Sequence, residues 1–354
     1  MKDLTASSPR PGDNQAKNPM DFDLRLDEAI LRSRDYLLSQ QANEGYWVDE
    51  LESNATITAE LIFFMYFTGI VDKNKQGKLV NYLLHKQRDD GSWPLYFGGP
   101  CDINSTVESY MALKLIGISA KRSEMVRARE AIRANGGIKK TRVFTKIFLA
   151  MFGQIPWKAC PTIPVEIILF GNWFPFNIYE MSSWSRGTVV PLSIVISHKP
   201  VHHPPEGRDV KELLTITDNL LEFEPDGPIF SSWKNFFIYL DRIIKFLGKS
   251  PWKPFRQAAL KKALRWVVDH QEDQGDFAGI QPAMLNSLLA YHYEGVSKDD
   301  PKWVKGWESV ERFLIAKKER LSMQACVSPL WDTAIAGNAL CDSGLPRDHP
   351  ALVK

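Results

Sequence analysis

The residues of this chain that could do chemistry form no obvious thiol or metal centre. Four cysteines stand at 101, 160, 326 and 341, with no Cys-Xaa-Xaa-Cys pair and no histidine close enough in sequence to suggest a zinc site. The spacing therefore predicts no metal and no cofactor. It favours reduced core thiols in a cytoplasmic protein.

Two tryptophans and one glutamine have the chemistry of a binding pocket. An aromatic face attracts a desolvated cation by about 2 kcal/mol, and Trp184 in "SSWSRGTVV" and Trp331 in "SPLWDT" could supply such faces. Tryptophan at helical spacing is more often a packing residue, and Gln281 before Pro282 is also an ordinary helix start. These residues alone leave both interpretations open.

The overall composition excludes some classes of partner. The 354 residues carry 44 Lys and Arg against 42 Asp and Glu, a net charge of +2, which gives no field for nucleic acid. Apolar runs such as 61–67 are far shorter than the roughly 18 to 20 residues of a membrane-spanning helix. The polar, Pro-punctuated residues 1–20 are expected to be a disordered leader.

Apolar residues recur at three- and four-residue spacing, so the chain is predicted to be all-α. Pro and Gly interrupt this period at 154–180 and 199–231, which predicts long loops. The predicted helices are roughly 24–41, 54–69, 73–87, 104–116, 123–134, 140–152, 182–197, 233–247, 252–271, 281–294, 301–316 and 328–343.

A helix end followed by Gln, a Gly turn and an aromatic residue occurs three times at one fixed offset. Self-similarity of this kind indicates a repeat architecture. Gly can take the left-handed turn, the Gln amide can bond the backbone of a neighbouring helix, and the aromatic ring buries a large apolar area. The third copy ends in Phe, so its joint is expected to be looser. The pairs are Gln41 and Trp47, Gln87 and Trp93, Gln271 and Phe277.

This pattern resembles the QW repeat of the triterpene cyclases. The segments "EGYWVDELESNATITAE", "NIYEMSSWSRGTVVPLSIV", "GIQPAMLNSLLA" and "VSPLWDTAIAGNAL" resemble squalene-hopene cyclase in the order of that family, from about residue 24 to the last. The resemblance implies an α/α barrel (toroid) with QW repeats at 51–326, inserted into a second, incomplete α/α barrel. Residues 21–50 and 327–354 would be the opening helices of that partial catalytic barrel.

The resemblance implies an isomerase that cyclises squalene, or a similar polyprenoid, to hopanoids after protonation by an Asp-Xaa-Asp-Asp motif. Neither "DFDL" at 21–24 nor "KDDP" at 298–301 is that motif, and no other stretch matches it. The chain is therefore expected to be the N-terminal part of such a cyclase and to be inactive alone.

The resemblance also implies roles for single residues. Trp184 and Trp331 would be pocket walls, and Asp332 would tune the strength of the acid. At the far end of the pocket, a polar group would position the water that removes or traps the last cation, within the segment Ile280, Gln281 and Pro282. A hydrophobic constriction between membrane and pocket would be formed by Met181, where Phe is common in the family, and Val189.

Residues 232–248 are predicted to form an amphipathic helix with a broad apolar side and basic residues at its edge. Such a helix fits a membrane interface, although a buried barrel helix has a similar pattern. Since the family is monotopic, the resemblance favours the membrane and places the protein on its cytoplasmic side. The apolar side is Trp233, Phe236, Phe237, Leu240 and Leu247; the polar side is Lys234, Asn235, Asp241, Arg242 and Lys245.

Three other interpretations remain open. The zinc-dependent protein prenyltransferases share the barrel, but their Asp, Cys and His ligands are not found in this sequence. A non-catalytic α/α toroid could bind lipid or a partner through its concave face. The chain could also be one half of a split cyclase that pairs with a C-terminal half, or a fragment left by an incomplete record or a broken gene.

Overall fold

The computed structural model of the chain describes residues 19–174, 177–214, 223–250 and 252–354. Most of the predicted leader, 1–18, and part of the second predicted loop, 215–222, lie outside these ranges. The described chain divides into two compact units. The larger is Glu50–Val327, and the smaller combines the described residues up to Asp49 with Ser328–Lys354.

The described elements are thirteen α-helices and one two-stranded sheet. In chain order they are α1 (Pro19–Ser39), α2 (Ala55–Thr68), α3 (Lys73–Lys86), α4 (Ile103–Ile116), α5 (Ser123–Ala134), α6 (Val143–Met151), α7 (Ser183–His198), α8 (Trp233–Leu247), α9 (Arg256–Asp269), α10 (Gln281–Tyr293), α11 (Pro301–Arg312), β1 (Leu314–Lys317), β2 (Arg320–Met323), α12 (Pro329–Asp342) and α13 (Pro350–Val353).

The helices of the larger unit form an inner and an outer layer. α2, α4 and α10 are buried on all sides along almost their whole length, whereas α3, α5, α9 and α11 bury only one face. α2 contacts both α4 and α10, and α10 contacts α7. An inner layer of helices that is buried by an outer one is the plan of an α/α barrel, which confirms the predicted fold class.

One predicted helix is wrong at its end. The helix predicted over 301–316 stops at Arg312, and the apolar residues that follow form β1, which pairs antiparallel with β2. Lys318 takes φ +53° in the turn between them, which is left-handed backbone. The run "FLIA" continues the helical spacing by chance, so periodicity alone did not reveal the hairpin. Short α13 was also not predicted.

The three Gln joints share one set of hydrogen bonds. Gln87 Nε2 donates to Gly91 O and, in the first turn of α5, to Glu124 O, both at 2.8 Å. Trp93 is fully buried, and its Nε1 donates to Leu83 O at 2.8 Å. A single side-chain amide thereby ties the end of α3 to the start of α5.

The other two joints repeat this geometry within their own units. Gln41 Nε2 donates to Gly45 O at 2.8 Å and to Ala351 O at 2.7 Å, and Trp47 Nε1 donates to Leu37 O at 2.7 Å. Gln271 Nε2 donates to Gly275 O at 3.1 Å and to Lys302 O at 2.8 Å. Phe277 is buried but has no indole N–H, so this joint lacks the third bond. Its predicted looseness stays a prediction.

α8 exposes its apolar side and turns polar residues towards the protein. Trp233 is 72% exposed and Phe246 72%, while Asn235 is 1% exposed. The side chain of Asp241 accepts from Thr162 N–H at 2.7 Å, and Lys245 Nζ donates to Lys158 O at 2.8 Å. Asn235, predicted on the polar side of the helix, is buried, and its amide donates to Ser231 Oγ. Lys234 and Arg242 of the polar side remain exposed, so the reversal relative to an ordinary surface helix is partial.

The smaller unit has a small core of its own. Its buried apolar residues are Trp47, Ala336, Leu340 and Leu345. Large apolar side chains on α1 and α12 remain exposed within this unit, namely Phe22, Leu24, Leu26, Leu31, Leu330 and Ile335. The prediction that this unit belongs to a partial catalytic barrel, and the larger unit to an inserted one, stays a prediction.

Two further features concern the membrane and the cysteines. In the described parts of the chain, no helix combines the length and the apolar character needed to cross a bilayer. Cys101, Cys160 and Cys341 are free thiols. Cys160 is buried, but Cys341 is exposed, so the prediction of core thiols is wrong for Cys341, which lies on the outer face of α12.

Candidate functional site

A cavity of about 190 Å³ lies among the inner helices of the larger unit. Most of its wall is apolar and comes from α2, α6, α7 and α10, with Phe64, Phe67, Ile147, Phe148, Val195 and Leu289 among the lining residues. Its polar lining residues are Asn54, Thr56, Glu60, Arg142 and Asn286. The volume is below the roughly 300–1,000 Å³ of a complete small-molecule site, so it has room for only one end of a long hydrocarbon.

Two buried carboxyl groups and one arginine form a polar cluster, and two of its members, Glu60 and Arg142, line this cavity. Arg142 Nη2 lies 3.6 Å from Glu60 Oε1 and 3.5 Å from Glu108 Oε1. Thr145 Oγ1 donates to Glu108 Oε1, and Gln281 Nε2 donates to Glu60 Oε2 at 3.1 Å. Burying charges is tolerated when they are paired and hydrogen-bonded. The cluster therefore has one cation for two acids.

The shortage of cations leaves a proton in the cluster. Burial raises the pKa of Glu60 to about 8, the nearby Glu108 charge adds to this effect, and Arg142 opposes it. Burial also raises the pKa of Glu108, again against Arg142. The pair thus holds a carboxyl proton at neutral pH and can donate as well as accept a hydrogen bond.

Local structure fixes the position of Gln281. Its backbone N–H donates to Ala325 O at 2.8 Å, and Ile280 forms a β-bridge with Cys326. Pro282 occupies the first turn of α10, where its missing N–H removes no hydrogen bond. The Gln281 side chain is fully buried, and within the described chain its Oε1 has no hydrogen-bond partner. This oxygen is a ready acceptor beside Glu60.

A sequence model described as the squalene-hopene cyclase N-terminal domain matches residues 30–319. The chain belongs to the squalene-hopene cyclase family. This confirms the resemblance on which the sequence interpretation rested. The chemistry of the cavity can now be compared with what a triterpene cyclase requires.

Curated relatives agree with this assignment. The chain is 41% identical over 337 residues to squalene–hopene cyclase of Alicyclobacillus acidocaldarius, covering 93% of this chain and 51% of the relative. It is 38% identical to dammaradiene synthase of Dryopteris crassirhizoma, covering 92% and 48%. Identity to squalene-hopene cyclase of Schizosaccharomyces japonicus is 35%, covering 91% and 49%. The chain thus spans about half the length of these relatives.

The cavity brings together only some of the predicted site residues. Pro282 lines it and Gln281 bonds its Glu60, whereas Ile280 is half-buried beside them. Trp184 is 62% exposed at the start of α7, and neither it nor half-buried Met181 and Val189 is among the lining residues. Their roles as pocket wall and channel stay predictions.

Trp331 and Asp332 lie in the smaller unit. Trp331 is 69% exposed at the start of α12, and the half-buried Asp332 accepts from Asp49 N–H through its Oδ2 at 3.3 Å. The carboxylate also lies in the first turn of α12, where the helix dipole stabilises a negative charge. Its predicted influence on a catalytic acid stays a prediction.

Glu60, Glu108 and Arg142 were not predicted as site residues. A signal was present, because Glu60 interrupts "TITAELIFFMYF" and Glu108 interrupts "STVESYMALKL", both otherwise free of charge up to Lys114. A glutamate amid apolar residues on every helical face is buried, and a buried glutamate needs a partner. Which partner it has is not readable from the spacing.

Proposed function

We propose that this chain is the N-terminal part of a squalene-hopene-cyclase-like triterpene cyclase, in which the cavity of the larger unit holds one end of squalene or a similar polyprenoid. The observation that carries the proposal is an apolar, aromatic cavity lined by the buried Glu60, whose carboxyl group is hydrogen-bonded by Gln281. Apolar walls suit a hydrocarbon, and a few convergent polar groups suit the place where its reaction ends.

The polar end has the groups needed to terminate a cyclisation. A run of carbocations ends when the last cation loses a proton to a base or is trapped by water. Gln281 Oε1 accepts a hydrogen bond from a water, and the proton shared by Glu60 and Glu108 lets the cluster donate to the same molecule. Glu60 also fixes the Gln281 amide at 3.1 Å, so the water is oriented by a held group.

The initiating acid is proposed to be supplied by a cyclase segment other than this chain. Protonating an unactivated alkene needs an unusually strong acid, for which the family uses Asp-Xaa-Asp-Asp, and this sequence has none. Trp184 and Trp331 remain the proposed pocket walls, Met181 and Val189 the proposed constriction, and Asp332 the proposed tuning residue. The isolated chain is accordingly proposed to be inactive.

The outward apolar side of α8 supports a peripheral, monotopic position on the cytoplasmic side of a membrane. Trp233, Phe237, Phe246 and Leu247 are all more than half exposed on one helix. Aromatic residues that stand outward while polar ones pack inward favour the boundary between headgroups and hydrocarbon. Entry of a polyprenoid from the lipid would then need no exposure to water.

Gas chromatography of squalene products tests this proposal. The chain alone should give no cyclised product, whereas co-expression with a C-terminal cyclase half that carries Asp-Xaa-Asp-Asp should give hopanoids. In that pair, Gln281→Ala should reduce the product rate about tenfold or more, equivalent to about 1.4 kcal/mol of barrier, because the water loses its acceptor.

The matched control is Gln274→Ala, an exposed glutamine outside the cavity, which should keep the rate. Hopanoids made by the purified chain alone would refute the proposed division of labour. An unchanged rate and product ratio for Gln281→Ala would refute the proposed role of the cavity.

A further inference from the structure

A second and larger cavity, of about 980 Å³, lies at the C-terminal end of α8. Its walls come from that helix end, residues 157–166, the C-terminal end of α7 and residues 252–256. Seven of the lining residues are Lys or Arg and only one, Glu166, is acidic. The chain as a whole has a net charge of only +2, so this cavity concentrates positive charge locally.

Some of these cations are neutralised by neighbouring acids. Arg256 Nε lies 2.6 Å from Glu166 Oε1, and Lys245 Nζ lies 2.7 Å from Asp241 Oδ2. Arg242 Nη2 lies 2.8 Å from Glu224 Oε2. These pairs hold the walls of the cavity in place but leave little charge to attract a ligand.

Three other lysines of the cavity are not neutralised by a neighbouring acid in the described ranges. Lys199, Lys249 and Lys253 make no ion pair with any acid in the described ranges of the chain. All three are exposed. Lys199 caps α7 with φ +45°, and Lys249 follows the last turn of α8. Three lysines from three separate segments of the chain therefore line the same cavity.

Exposed apolar side chains lie beside these lysines and in the same cavity wall. Phe246 and Leu247 precede Lys249, and Trp252 and Phe255 flank Lys253; all four line the cavity and are more than 60% exposed. In a bilayer, apolar rings enter the hydrocarbon boundary while amines extend to the level of the lipid phosphates. A soluble anion would gain nothing from the rings.

We propose that this cavity binds the phosphate of an anionic phospholipid, with Lys199, Lys249 and Lys253 around the headgroup and the aromatic residues against its acyl chains. The inference rests on the proposed membrane position of α8 and adds a chemical preference to it. Each basic residue near an anionic bilayer surface contributes about a fivefold gain in binding. The cavity thereby fixes the chain at the membrane beside α8.

Vesicle sedimentation of the full chain tests the proposal. Three vesicles are compared: phosphatidylcholine alone, phosphatidylcholine with phosphatidylglycerol, and phosphatidylcholine with the same molar fraction of oleate. The chain should bind phosphatidylglycerol vesicles at least tenfold more tightly than either of the others. All three are measured at about pH 9, where oleate is ionised and supplies similar negative charge without a phosphate, so it separates a headgroup site from general attraction.

The variant is Lys249→Gln together with Lys253→Gln, and the matched control is Lys121→Gln together with Lys302→Gln, exposed lysines of the same unit outside the cavity. The cavity variant should bind phosphatidylglycerol vesicles about 20-fold or more weakly than the wild type, and the control less than about threefold more weakly. Both should keep the wild-type unfolding temperature, because all four side chains are exposed.

Several results would overturn the proposal. Equal binding to phosphatidylglycerol and oleate vesicles would show that the cavity responds to negative charge in general and not to a phosphate headgroup. Full competition by millimolar inorganic phosphate would show that the cavity binds a soluble anion. Equal losses in the two variants would show that net charge alone acts. Failure of the membrane position itself is separate: Trp233→Ala with Phe237→Ala would then leave binding to all three vesicles unchanged.

Discussion

At the scale of single residues, the buried Glu60 and Glu108 are the least expected feature of this chain. Two acids share one arginine in the interior, and the resulting proton is held by desolvation rather than by a strong base. This arrangement lowers stability at high pH but provides a hydrogen-bond donor beside Gln281. The cluster costs some folding free energy and places polar groups at one end of an otherwise apolar cavity.

The cluster makes stability depend on pH in a definite direction. The folded pKa of Glu60, about 8, is above its ordinary value of 4.5, so its contribution is fully present below pH 4.5 and is lost as pH rises towards 8. The free energy of unfolding should therefore fall across this window by up to about 1.4 kcal/mol per pH unit for this proton. Glu60→Gln should remove that slope.

Urea unfolding at pH 5, 6, 7 and 8 measures the slope for the wild type and the variant. The matched control is Glu319→Gln, an exposed glutamate of the same unit, which should keep the wild-type slope. Parallel curves for Glu60→Gln and the wild type would show that Glu60 does not carry the proton.

At the scale of elements, the Gln joints determine how closely successive helices approach. Gly91 has φ +84°, and a Cβ at this position would overlap the backbone of Arg127 in α5. Gly98 has φ +73° but open space around it. Substitutions at Gly98 and Gly91 therefore separate two costs: the strain of a left-handed backbone, present at both positions, and the steric overlap with α5, present only at Gly91.

Gly98→Ala should cost only the left-handed strain, about 1–2 kcal/mol. Gly91→Ala should cost at least about 1 kcal/mol more, since α5 must move away from the joint. Chemical unfolding of the two variants checks the difference. Equal losses would mean that the helix backbone adapts freely to the added methyl group.

Substitutions can remove the indole hydrogen bond from one Gln joint and introduce it into another. Trp93→Phe should lower the free energy of unfolding by about 1–3 kcal/mol, because the buried Leu83 carbonyl loses its donor. Phe277→Trp should restore about 1 kcal/mol to the third joint through a bond to Val267 O, which stands at the equivalent position. Thermal unfolding measures both, with Phe277→Leu as the control for size. A loss of stability in Phe277→Trp would show that the third joint is already fully packed.

At the scale of the whole molecule, the two units differ in how much core each possesses. The larger unit buries a continuous cluster that includes nearly all of α2, α4 and α10, whereas the smaller one buries four apolar residues. Exposed apolar faces on α1 and α12 are suited to further helices. Stability should thus be unevenly distributed along the chain.

Hydrogen exchange measures this distribution. In the chain by itself, backbone amides of α1 and α12 should exchange at least about a hundredfold faster than those of α2 and α4, because few buried contacts oppose local opening. Addition of the C-terminal cyclase half should slow exchange in α1 and α12 selectively. Equal protection of both units in the isolated chain would contradict this prediction.

Sequence alone determined most of the helices and the three joints, since both depend on near neighbours. Periodicity reports local burial, and Gln87, Gly91 and Trp93 lie within one turn and loop, so their pattern can be read directly. Family membership followed from the same local patterns. The hairpin was not predicted because the four residues of "FLIA" fit the period of a helix as well as that of a strand.

Only the tertiary structure decided which residues form the site and which side of α8 is exposed. Gln281 and Glu60 are separated by 221 positions, and their contact depends on how the inner helices pack around one cavity. The amphipathic pattern of α8 fits a buried helix and an outward one equally well. Packing decided between them, because Asn235 and Asp241 hydrogen-bond within the protein while Trp233 and Phe246 stay exposed.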